Sequence, residues 1–223
     1  MAKTFNHRYK QVFEKVKTIH INNLIKSKDK KTYWFGLSST QLIYYVTNLV
    51  ISIEDKKNQK RINALIKDYE KRNDKINFKR NFIRKIYFVI KNFIYSTLFF
   101  YKKKIYVLGN VDSEINAYTE ENSLSIIKID PWININLKKL NYIKKDKNLE
   151  NSFYYYVEDL CKIFKINKID KRKIEFKIKK KFYFYYDAYS QMILLYKNKT
   201  FNLITSKHVF IWNRIFIGAL NYL

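Results

Sequence analysis

KRNFIRKIYFVIKNFIYSTLFFYKKKIYVLGN, residues 79–110, changes its periodicity twice within one short run. Phe82, Ile86, Val89 and Phe93 recur at helical spacing and fall on one face, with Arg80, Arg84 and Lys91 on the opposite face. A second helical piece, residues 92–101, ends in Lys102, Lys103 and Lys104. Residues 105–110, IYVLGN, then read as an apolar strand running into a Gly-Asn turn. A polar loop follows, and SLSIIKI at 123–129 reads as another strand. The order is helix, helix, basic run, strand, Gly turn, loop, strand.

Outward from this stretch, Tyr9, Val12, Phe13, Val16 and Ile19 give a short amphipathic helix flanked by Arg8, Lys10, Lys15 and Lys17. Residues 23–31 form a polar connector. Residues 41–53 are apolar and admit either a buried helix or a strand by periodicity; the helix is the reading taken. Residues 55–76 read as a charged helix with a single stripe of Ile62, Leu65, Ile66, Tyr69 and Ile76. Beyond the central stretch, residues 144–147 (KKDK) read as a solvated basic linker and 151–164 as a helix. KIEFKIK at 173–179 alternates strictly and predicts a strand. Residues 182–186, 192–196 and 200–204 are expected to add antiparallel strands. The expected class is α+β in three parts. A basic helical region spans 1–78, a small two-helix-plus-sheet domain 79–130, and a linker, helix and antiparallel strands 131–223.

Composition narrows the function. Of 223 residues, 45 are Lys or Arg and 19 are Asp or Glu, a formal net charge of +26. Such a charge repels itself in a compact chain unless a polyanion neutralises it. The cations are spread along the whole length, which suits a surface surrounded by phosphate better than one resting on lipid. With 47% hydrophobic residues the chain can build a core. Gly and Pro are scarce, while Lys, Asn, Ile, Tyr and Phe, the residues of AT-rich codons, abound; this points to an AT-rich genome such as an organelle's.

Catalytic and metal chemistry find no foothold. Cys161 is the single cysteine, so no internal disulfide or thiolate cluster can form. His7, His20 and His208 lie at no ligand spacing, and Gly36, Gly109 and Gly218 are isolated, so no phosphate-cradling loop exists. No cofactor, metal or small-molecule substrate is expected. Residues 33–53 carry no charge over a length that could cross a bilayer. Ser38, Ser39, Thr40, Gln41, Thr47, Asn48 and Ser52 make them a poor insertion candidate. The N-terminus lacks the apolar core of a secretory signal.

Residues 79–129 resemble the S-four RNA-binding domain, in the form found within small-subunit ribosomal protein S-four. Lys79-Arg80-Asn81, followed by Phe82 and Ile86, stands at that family's first motif, and Lys102 to Gly109 at its basic-run, strand and turn motif. Ala117-Tyr118 and Asn122 to Ile126 stand at its closing motif. Asn81, Leu108 and Ser123 replace the family's Asp, Asn and Asp. HRYKQVFEKVK at 7–17 is similar to the basic start of organellar members, and 173–186 to a strand near their end. The resemblance implies a structural, non-enzymatic protein of a mitochondrial small ribosomal subunit, organelle-encoded, contacting small-subunit rRNA and neighbouring ribosomal proteins. Candidate RNA contacts are Arg80, Arg84, Lys91, Asn92, Lys102, Lys103, Lys104 and Asn110. The competing expectation is an accessory subunit of an organellar membrane complex, anchored by residues 33–53.

Overall fold

The structure, a computed structural model, describes residues 2–55, 57–74, 103–108, 111–129, 146–197, 202–205 and 211–223, with Ile83, Ile86, Tyr87, Val89, Ile90, Phe93 and Ile94 between them. It is mostly helical. α1 (Ala2–His20) runs into a π-helical turn (Ile21–Ile25), followed by α2 (Lys30–Ser38), α3 (Leu42–Glu54) and α4 (Gln59–Asp74). Then come β1 (Lys103–Leu108), α5 (Ser113–Glu121), β2 (Leu124–Ile129), α6 (Lys147–Ile163), α7 (Lys168–Tyr196), β3 (Leu203–Thr205) and α8 (Ile211–Tyr222).

The uncharged stretch 33–53 is two helices, broken at Ser39 to Gln41, rather than one. Three of its buried hydroxyls are satisfied by their own helices, and that of Tyr45 donates to Glu70 of α4 at 3.0 Å. Ser38 donates to the Phe35 carbonyl at 2.9 Å, Thr47 to Ile43 at 2.7 Å and Ser52 to Leu49 at 2.7 Å. α3 can therefore be buried almost all round without orphaning the hydroxyls of Thr47 and Ser52. It packs against α1, α4 and α7. Among the described residues no helix is long and apolar enough to cross a membrane.

The strands expected at 173–179, 182–186 and 192–196 are replaced by one helix, α7, of 29 residues. The alternation of KIEFKIK is local. Over the longer window the buried residues include Ile174, Ile178, Phe182, Tyr185, Tyr189, Met192 and Tyr196, at steps of three and four, with Lys181, Tyr186, Asp187, Ala188 and Ile193 buried beside them where the second half is enclosed. Phe176, the middle apolar residue of the apparent strand, points to solvent. Neither Gly nor Pro interrupts the run. Asn167 caps it, its side-chain oxygen accepting the Asp170 N–H at 2.9 Å.

The sheet is parallel and not antiparallel, with three strands in the order β2-β1-β3. β1 pairs with β2 from Lys103–Leu124 to Leu108–Ile129, and with β3 from Tyr106–Leu203 to Leu108–Thr205. The segment read as a polar loop contains α5, the crossover that a parallel pair needs. Asp112 caps α5 through the Ile115 N–H at 3.0 Å, so Ala117 and Tyr118 are helical rather than part of a strand. Of the expected C-terminal strands, 200–204 overlaps β3 at Leu203 and Ile204 only.

The described residues of segments 1–78 and 131–223 share one core. Phe35 of α2 is fully buried, its ring 5.2 Å from Phe182 and 5.1 Å from Tyr186 of α7, both edge-on. Asp146, within the run read as a solvated linker, ties α2, α6 and α7 together. It caps α6 through the Leu149 N–H, accepts the Tyr186 hydroxyl, and lies 3.7 Å from the Lys31 ammonium.

Candidate nucleic-acid interface

Arg80, Arg84, Lys91, Asn92, Lys102 and Asn110 lie outside the described residues. Lys103 and Lys104 lie inside β1, whose first residue is Lys103, rather than at a helix end; Lys103 is exposed and Lys104 half-buried. Ile105 and Val107 are buried, as expected of the central strand. Of the apolar face read at Phe82, Ile86, Val89 and Phe93, Ile86 and Phe93 are exposed and Phe82 lies outside the described residues. Ile83, Tyr87, Val89, Ile90 and Ile94 are exposed as well.

A basic surface emerges elsewhere, on the first half of α7. The tyrosine-rich second half is enclosed by α8, α3 and the rest of the bundle, whereas the first half shows solvent the side opposite Ile174 and Ile178. Lys168, Arg172, Lys173, Lys177, Lys179 and Lys180 are all exposed there. Lys173 is partly neutralised by Asp170 at 3.2 Å. Lys171, on the flank, is paired with Glu158 of α6. Arg172, Lys177 and Lys180 form no ion pair among the described residues. Around the helix axis, Ile169 and Phe176 lie between Arg172 and Lys180 on this face, with Lys177 at its edge, and are 70% and 72% accessible.

The α6–α7 turn extends this surface. The Phe164 N–H donates to the Leu160 carbonyl and the Ile166 N–H to that of Cys161, both at 3.0 Å, closing α6 in a Schellman-type turn. Lys165 takes the left-handed position, φ 48°, that glycine usually fills. Lys162 and Lys165 are exposed at this turn, and the Lys15 ammonium of α1 reaches it, 5.9 Å from the Phe164 ring.

Sequence reading missed this face because a strand at 173–179 sends alternate residues to opposite sides, separating Lys173 and Lys177 from Phe176 and Lys180. The usable signal was the step-of-four spacing of Ile174, Ile178 and Phe182. Among the described residues no group of three His, Cys, Asp or Glu side chains could hold a metal ion. Comparison with protein-family models, curated proteins and solved structures yields no match to this chain.

Proposed function

We propose that this chain is a structural protein of a mitochondrial small ribosomal subunit that holds rRNA through lysine- and arginine-rich surfaces, with no catalytic role. The observation that carries the reading is the α7 face, where Arg172, Lys177 and Lys180 project from a rigid helix with no acidic partner among the described residues. A fixed helix holds cations at constant spacing, and phosphate contacts made that way depend on shape and charge rather than base identity. The chain's +26 extends this argument to the whole surface. Contact with neighbouring ribosomal proteins is favoured by the exposed Ile83, Ile86, Val89 and Ile90, apolar residues of the kind that partners cover. The assignment to the S-four family rests on the motif resemblance of 79–129, and the organelle on the AT-rich residue usage.

Sucrose-gradient sedimentation of organelle lysate, combined with carbonate extraction of its membranes, tests the proposal. Co-migration with the small ribosomal subunit, moving to the top of the gradient after ribonuclease treatment, is expected. Retention in carbonate-washed membranes contradicts it and favours the membrane-complex subunit.

A further inference from the structure

Phe176 lies in the middle of the α7 cationic face, opposite the buried Ile174 and Ile178, and is 72% accessible. It meets no other aromatic ring among the described residues, and no acidic residue lies along its line on the helix. Arg172 stands one turn before it and Lys180 one turn after, each about 6 Å along the axis. Ile169 continues the line two turns back.

Resting on the RNA-binding reading of this helix, we infer that Phe176 is a stacking platform for an unpaired base, and that the RNA segment held here is single-stranded. Arg172, Lys177 and Lys180 hold the phosphates on either side of that base. An A-form duplex keeps its base faces inside the stack and offers Phe176 nothing to stack on. A single strand offers both parts, a π-face for the ring and a flexible backbone that brings phosphates to cations one turn away. A lipid surface fits less well. Helices that lie in the membrane interface separate a broad apolar face from their cations. Here Ile169, Lys173, Phe176 and Lys180 alternate along one line, so sinking the ring into lipid tails would drag ammonium groups with it.

The test uses the full chain, with labelled RNA followed by fluorescence anisotropy. The probes are an unstructured 20-nucleotide strand of mixed sequence, a 20-base-pair RNA duplex, and phosphatidylserine-containing vesicles. Phe176→Ala is expected to weaken single-strand binding by roughly 5- to 150-fold, the range for loss of one stacked base. Duplex binding should change by less than about twofold, since no cation is removed. Phe176→Trp should keep the affinity, and its emission, beyond that of Trp34, Trp132 and Trp212, should be quenched by the single strand alone. Salt-sensitive RNA binding unchanged by Phe176→Ala, or lost equally on both RNAs, overturns the stacking role and leaves the RNA-binding reading standing. A wild-type chain that binds the vesicles and neither RNA overturns both.

Discussion

Gly218 of α8 has no room for a methyl group. A Cβ there would stand 2.7 Å from the Ser38 Cβ and 3.0 Å from the Trp34 carbonyl oxygen, so α2 and α8 meet nearly backbone to backbone. Gly36 makes the matching approach to the π-helical turn, its would-be Cβ 2.8 Å from that of Leu24. Two of the three glycines in the chain thus serve the seating of one short helix. Gly218→Ala is expected to destabilise the protein by about 1–3 kcal/mol through overpacking, read as a lower urea midpoint at unchanged slope. Asn221→Ala, exposed on the same helix, serves as the control and should change little. Two buried ionisable groups act at the same scale and in opposite senses. His20 of α1 is sealed in the core, its Nε2–H donating to the Gly36 carbonyl at 2.9 Å, and burial pulls its pKa down to about 4. The unfolded imidazole takes up a proton near 6.5, so the stability His20 contributes is full above that pH. It falls by on the order of 3 kcal/mol as pH drops from 6.5 to 4. Asp187, 5% accessible, is pushed up to about 7 by burial. Its contribution is full below 3.8 and lost as pH rises toward 7. Measured by urea unfolding at pH 4.5 and 6.5, Asp187→Asn should gain stability relative to wild type at the higher pH. His20→Gln should gain relative to wild type at the lower pH.

At the scale of elements, α7 decides the architecture. Lys177→Pro, at an exposed position, removes no core contact, yet it should cost about 3 kcal/mol or more and reduce far-UV helicity. Proline deletes a backbone hydrogen bond and collides with the preceding turn. An unchanged helical signal would contradict a continuous helix there. Lys165→Gly should do the reverse and stabilise by up to about 1 kcal/mol, because glycine occupies φ 48° without the Cβ clash. α1, α4 and α6 were legible in the sequence, since each has an apolar stripe of several turns within one window, whereas α3, apolar nearly all round, left helix and strand open by periodicity. β1 and β2 were legible as well, through IYVL and LSII, but their orientation was not. Parallel pairing depends on the α5 crossover, whose SEINAYTEE carries only Ile115 and Thr119 as buried residues and reads as a loop. α7 was misread because seven residues of true alternation outweighed a helical pattern whose second half is rich in tyrosine, an ambiguous residue in a chain with 20 of them. The charge that marks the candidate site was plain in the composition. Its place was not, since a stripe of cations forms a surface only once the helix beneath it is known.

For the whole molecule, the sequence carries 45 cations and 19 anions, and α1 to α4 and α6 to α8 share one core. That core leaves little cause for the cations to serve stability, because exposed ion pairs contribute only about 0–1 kcal/mol each. Their number is accounted for by an external polyanion, and the α7 face is where the described structure gathers them on one rigid element. The central claim is therefore electrostatic, and its most direct test is the salt dependence of RNA affinity. With about six to ten phosphate contacts, log Kd should rise with log salt at a slope of about 4 to 9. Replacing Arg172, Lys177 and Lys180 together by Ala should reduce that slope by about 2 to 3 while leaving the circular dichroism spectrum unchanged. A flat salt response in the wild type, or a slope untouched by the triple substitution, would contradict the account.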